Sequence, residues 1–321
     1  MTVIQLHAAP KAFPAEKRPA IWAVASGKGG VGKSFISSSL GLALAKHGKR
    51  VVMIDLDLGG ANLHTCLGVP TPATTLSDFI SGKLNDINEL VVATPTENVG
   101  LISGAADSLH IANIKHFEKL KILRNLKQIA ADIVLLDLGA GTSFNTLDFF
   151  AQAEHGILAV TPEPTSIENT YRFLRELFAR RLRTAPTLTR KLMNDVLTGR
   201  HVGGRKITTL SAFLGAMDHL HPQHGALLRQ ELATQNLHLI INEAMEPGDA
   251  ELGQAMELAC RKYFGVDIGY LGYLNHDRQV AMALRQRKPF MNAYPQSRVA
   301  IHLDHIAAQL LERSSRPRTP A

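Results

Sequence analysis

Short, continuously apolar runs alternate along this chain with longer stretches in which apolar positions recur every three or four residues. The first pattern is that of a strand buried on both faces, the second that of an amphipathic helix. Residues 20–26 (AIWAVAS) read as a strand leading into a glycine loop, and 35–48 as a helix stopped by Gly48. Strands follow at 50–57 and 99–104, then a helix at 114–130, strands at 132–139 and 156–162, and a helix at 166–182. The chain resumes with a strand at 237–244, a helix at 249–264, a strand at 267–274 and a last helix at 298–313. Apolar strands alternating with helices predict an α/β fold with a doubly wound, mostly parallel sheet.

The stretch 184–236 breaks that rhythm. It carries helical patterns at 187–197, 207–220 and 225–235 and no convincing strand, so it reads as a helical insertion between two strands. The expected organisation is a loose leader at 1–19, one domain over 20–313 that contains the insertion, and a frayed tail at 314–321.

Composition narrows the class. Of 321 residues, 45% are hydrophobic, enough for a large core, and only 6% are aromatic. No stretch reaches about 18 apolar residues, so no transmembrane helix is expected. Cys66 and Cys260 stand apart without a CxxC pattern, which argues against a zinc site or disulfide framework and fits a reducing cytoplasm. The net charge of +7 is concentrated between Arg172 and Lys206, where ten Lys and Arg face only Glu176 and Asp195. The remainder is nearly neutral. A local basic field of this kind suits an anionic surface such as DNA or a membrane, or simply a solvated helical face.

The glycine loop carries the chemistry. Gly27-Lys28-Gly29-Gly30-Val31-Gly32-Lys33-Ser34-Phe35 lies between a strand and a helix, the context of a phosphate-binding loop. Its glycines let backbone N–H groups curl around phosphate oxygens at the positive end of the helix dipole. Lys33 is expected to reach the β- and γ-phosphates, and Ser34 to offer its hydroxyl to Mg²⁺. Asp55 and Asp57 end the next strand, where alternation aims both carboxylates toward metal and attacking water. Asp137, after four apolar residues, is the strand-end acid expected to support the metal, with Gly139 and Gly141 in a loop able to sense the γ-phosphate. Lys28 is surplus to a phosphate loop that already has Lys33.

Lys28 with Lys33 in GKGGVGKS, together with DLDLGGAN and DLGAG, resembles the MinD/ParA branch of P-loop ATPases, whose deviant Walker A motif carries an extra lysine. The resemblance covers about 20–183 and 237–312. It implies an ATP- and Mg²⁺-dependent homodimer in which Lys28 crosses to the partner's nucleotide, so that slow hydrolysis depends on dimerisation. It also implies that Lys28, Lys33 and Asp57 are catalytic, that Asp57 positions the water, that Ser34, Asp55 and Asp137 serve the metal, and that Asn242 reads the adenine edge. The IPxD turn usual after the last strand is here LNHD, 274–277.

DLDLGGANLHTCLG, EPTSIENTYRFLR and AYPQSRVAIHLDHIA resemble the FlhG/FleN type, which limits the number and place of flagella. This implies a protein partner that stimulates hydrolysis and a cytoplasmic protein, peripheral at the inner membrane face or a pole. Two other readings stay open. One is a ParA-like partition ATPase that holds DNA through the 172–206 stretch, the other a biosynthetic or metal-delivery enzyme on the same fold.

Overall fold

Ala20–Ala25 (β1) lies in the middle of the molecule because every residue from Ile21 to Ala25 is apolar and buried. The computed structural model describes residues 18–57, 60, 62–104, 114–184, 201–202, 205–207 and 209–315. Around β1 are arranged Val51–Leu56 (β2), Val92–Ala93 (β3), Val99–Ile102 (β4), Ile133–Leu138 (β5), His155–Val160 (β6), Asn236–Ala244 (β9) and Ile268–Asn275 (β10). Their order is β10-β9-β6-β1-β5-β2-β4-β3, and only the short β3 runs antiparallel to its neighbour. The doubly wound, mostly parallel α/β sheet expected from the pattern is present.

Strand alternation divides the core. Trp22 and Val24 of β1, and Ile133 and Leu135 of β5, face Lys33–Lys46 (α1) and Arg298–Ser315 (α12). Ala23, Val134 and Leu136 face the other layer, which includes Phe144–Gln152 (α5), Pro164–Thr184 (α6) and Pro247–Phe264 (α9). α1 is apolar almost all round because it is sandwiched between sheet and α12. At Gly41 a Cβ would strike the Met53 sulfur, so this glycine sets how closely α1 approaches β2. α12 turns Val299, Leu303, Ile306 and Leu310 inward. Among the described residues no helix is long and apolar enough to cross a membrane.

Shorter elements complete the chain: helices Leu63–Cys66 (α2), Leu76–Ile80 (α3), His116–Asn125 (α4), Arg278–Arg285 (α10) and Phe290–Ala293 (α11), with 3₁₀ turns at Ile87–Leu90 and Leu126–Gln128. The 114–130 pattern thus becomes a ten-residue helix and a separate turn. Within 184–236 the helical pattern at 187–197 lies outside the described residues. His201–Val202 (β7) and Arg205–Lys206 (β8) pair antiparallel, a small hairpin that two-residue strands cannot announce by periodicity. Leu210–Leu220 (α7) and Pro222–Leu232 (α8) follow. Phe213, Leu214, Met217, Leu228 and Leu232 are buried in the same core as α6 and α9, so this helix pair extends that layer.

The basic stretch is less of a surface than its composition suggests. Arg181 is buried and donates to Gln235 Oε1 at 2.5 Å and to the Ala151 carbonyl at 3.3 Å. Arg180 pairs with Asp148, which Lys119 of α4 also contacts, and stacks over Phe144. Arg172 and Arg175 remain exposed.

Candidate functional site

The turns after β1, β2, β5, β6 and β9 all leave the carboxyl edge of the sheet, where ligands of open α/β sheets bind. The sequence-predicted residues meet there. Gly27 begins the loop after β1, and a Cβ on it would overlap the Asn169 and Thr170 backbone of α6, so this glycine serves close packing. Gly30 and Gly32 adopt φ of 79° and 85°, left-handed values that let the loop double back. Gly29 is exposed, and Val31 is buried. Lys33, Ser34 and Phe35 open α1, so their N–H groups have no partner within the helix and point toward the loop's concavity. Phe35 has only its main chain to offer a ligand, since its ring is buried edge-on against Phe290 at 5.2 Å.

Lys33 is 7% exposed and lies near the Asp137 carboxylate. Lys28 behaves differently. Its ammonium leaves the loop and meets Glu163 Oε2 at 2.5 Å and Thr165 Oγ1 at 3.1 Å, while both partners of the ion pair stay substantially exposed. The Ser26 hydroxyl donates to the Lys28 carbonyl at 2.7 Å, fixing the turn from which this side chain leaves.

The acids occupy two distinct environments. Asp137 Oδ1 accepts from the Ser37 hydroxyl at 2.8 Å, and Oδ2 is buried without a hydrogen-bond partner. Burial pushes its carboxyl up to about 6, against the opposing influence of the Ser34 and Ser37 hydroxyls and Lys33. A buried carboxylate oxygen with no donor is costly, and it fits a cation beside Ser34. Asp55 is pushed to about 7, first by burial and then by Asp137. Its two oxygens accept the Asp57 N–H at 3.1 Å and the Leu63 N–H at 2.9 Å, so it ties the end of β2 to the start of α2. Asp137 therefore has an oxygen to spare for a metal, whereas Asp55 already spends one on each amide. Asp57 is half-buried, with its carboxylate close to Gly139 of the loop after β5. That loop is tied back to the phosphate loop by the Gly141 N–H donating to the Ser26 carbonyl at 3.0 Å.

Asn242 ends the buried run of β9, and its amide donates to the Val31 carbonyl at 2.9 Å. Sequence reasoning missed Ser37, Glu163 and Thr165. Ser37 stands one helical turn beyond Ser34, a spacing that could have flagged it. Glu163 and Thr165 follow a strand end, but nothing in the sequence links them to Lys28, 135 and 137 residues away.

Comparison with known proteins adds independent information. The family model for the CobQ/CobB/MinD/ParA nucleotide binding domain matches residues 22–290. The chain is 26% identical over 290 residues to antiactivator FleN of Pseudomonas aeruginosa, spanning 90% of this chain and 85% of that protein. It is 33% identical over 150 residues to septum site-determining protein MinD of Helicobacter pylori, spanning 46% of this chain and 55% of that one. Among solved structures, MinD complexed with Mg-ADP from Pyrococcus horikoshii superposes with a TM-score of 0.63 at 21% identity, covering 92% of this chain and 98% of that one.

Proposed function

Given that this chain belongs to the CobQ/CobB/MinD/ParA nucleotide-binding family, we propose that it is an ATP-driven dimerisation switch with slow, Mg²⁺-dependent hydrolysis. The observation that carries the reading is the division of labour between its two lysines. Lys33 sits buried beside the phosphate cradle, while Lys28 projects to an exposed edge where, among the described residues, Glu163 and Thr165 hold it. A lysine serving its own phosphate has no reason to leave the loop. One that reaches a second subunit does.

In this reading the N–H groups from Gly30 to Phe35 hold the phosphates and Lys33 balances their charge. Ser34 and the free oxygen of Asp137 hold Mg²⁺, which when bound neutralises charge on the β- and γ-oxygens. Asp57 orients the attacking water, and Asp55 holds the Asp57 and Leu63 amides in place. Lys28 of each protomer contributes its charge across the interface, as an arginine finger does. Asn242 lies where the base would be read.

The similarity to FleN over nine tenths of the chain supports a role in setting flagellar number or placement, with a second protein stimulating hydrolysis. A cytoplasmic protein recruited to the inner membrane face or a pole fits that role. The partition alternative needs a DNA-binding surface on the 172–206 stretch, and Arg180 and Arg181 are already engaged inside the fold.

The test is solution mass by light scattering with ATP and Mg²⁺, using Asp57→Ala to block turnover. The expected result is a dimer that forms only with ATP and is lost when Lys28→Ala is added. A monomer under every condition overturns the switch.

A further inference from the structure

Ser26 stands between β1 and the phosphate loop, fully buried, and each of its polar groups holds a different part of the candidate site. A buried hydroxyl needs an acceptor, so the informative point is which acceptor it has. The Ser26 hydroxyl donates to the Lys28 carbonyl at 2.7 Å, closing a ring over Gly27 and Lys28. The Ser26 carbonyl accepts the Gly141 N–H at 3.0 Å, from the loop after β5.

The phosphate loop is packed on one side of Lys28 and bare on the other. Before it, Gly27 lies so close to the Asn169 and Thr170 backbone of α6 that a Cβ there would overlap. After it, Gly29 and Gly30 are exposed, and a Cβ on either would have nothing within 4 Å. Glycines without neighbours have the widest choice of backbone conformations. Lys28 thus stands where restraint ends. Among the described residues, the Ser26 hydroxyl is what holds its main chain. The ammonium is held less firmly, since its pair with Glu163 is exposed on both sides. The direction in which Lys28 is presented is therefore set at its backbone.

We propose that Ser26 is a positioning residue for dimerisation. Its hydroxyl fixes the Lys28 main chain so that the ammonium points outward, and its carbonyl ties that setting to the loop after β5. A shift of the Gly141 amide acts on Ser26 and, through it, on Lys28. The inference rests on the ATP-switch reading above. It goes beyond that reading by giving control of Lys28 to a buried residue outside the phosphate-binding and metal-holding groups. A symmetric dimer presents two such lysines, so the effect of Ser26 counts twice.

The experiment pairs two measurements on the full chain. Light scattering with ATP and Mg²⁺, in the Asp57→Ala background that blocks turnover, gives the dimer association constant. Calorimetry with ADP and Mg²⁺ gives nucleotide affinity in the absence of a γ-phosphate. Ser26→Ala is expected to lower the dimer constant by about 25-fold, which is about fivefold per protomer for one uncharged hydrogen bond. Ser26→Cys, a weaker donor of similar size, should give a smaller loss. ADP affinity should match the parent in both variants. If Ser26→Ala does not fold, the Ser26→Cys constant decides. A dimer constant equal to the parent's overturns the assignment and leaves the switch reading standing. So does a fall in ADP affinity of the same size, which would make Ser26 a support of the loop as a whole. A parent that binds ADP yet never dimerises with ATP overturns the switch reading, and this assignment with it.

Discussion

Lys28 and Asp137 are the two residues whose surroundings say most about this protein. The Lys28–Glu163 pair is exposed on both sides, so it is weak enough to exchange for another anion. Replacing Glu163 by Gln removes the competing carboxylate. The ATP concentration needed for half-maximal dimerisation should then fall by up to about fivefold, the range of an exposed pair. Light scattering across an ATP titration checks this, and an unchanged or higher midpoint counts against it.

Asp137 presents the opposite case of a carboxyl held in an unfavourable place. Its folded value of about 6 lies above the ordinary aspartate value of 3.8, so the folded state grips the proton more tightly than the unfolded state. The stability this contributes is fully present below about pH 4 and is lost as pH rises through 6. Asp137→Asn should therefore stabilise the nucleotide-free chain at pH 8, by about 3 kcal/mol at most, and have little effect at pH 4. Urea unfolding at the two pH values measures the difference. The same variant should lose the Mg²⁺ dependence of nucleotide binding.

At the scale of elements, β6 and β9 carry a second buried polar device at their amino ends, far along the strands from the phosphate loop. His155 and His238 stack with ring centroids 5.3 Å apart and share a hydrogen bond of 3.0 Å, and His238 Nδ1 is buried without a partner. Burial, helped by His155 and Arg313, pushes His238 down to about 3. The neutral form is native, so stability is complete above about pH 6.5 and is lost as pH falls from there toward 3. His238→Leu should flatten this acid limb of a stability–pH profile and leave the opposite slope that Asp137 contributes between about pH 4 and 6. A profile that keeps its acid limb would assign acid lability elsewhere.

The long elements were legible because their sequences satisfy one simple constraint. β1, β2, β5 and β6 are apolar at nearly every position since both faces are covered, with Asp55, Asp137 and His155 the exceptions near the strand ends, and α9 and α12 show plain helical spacing. The hairpin β7–β8, the antiparallel β3 and the one-turn helices α2 and α11 are too short for any period to register. Their existence depends on what they pack against.

At the scale of the whole molecule, the nucleotide face displays apolar side chains that a soluble surface has little reason to show. Phe144, at the start of the helix after Gly141, and Met245, just after β9, are each 72% exposed. If two copies meet through this face, both become buried. Phe144→Ser should then weaken ATP-dependent dimerisation by about tenfold, the loss expected from one buried aromatic contact, while the monomer's melting temperature changes little. A large fall in melting temperature would instead mark Phe144 as a folding residue.

The candidate site divides along the same line between local and distant. Gly27 to Ser34, Asp55, Asp57 and Asp137 could be read from the chain because their chemistry depends on neighbours within a few residues: a strand, a tight turn and a helix start. Periodicity likewise determined the parallel sheet, since burial on both faces is written into each strand. The partner of Lys28, the two amides that occupy Asp55, the burial of Arg181 inside a stretch that reads as a basic surface, and the meeting of Gly141 with Ser26 are contacts between segments far apart in sequence. Charge and spacing along a chain carry no information about which side chain will stand opposite another across the ends of strands. Only the tertiary structure, by setting the strand order and the twist of each terminal residue, decided these.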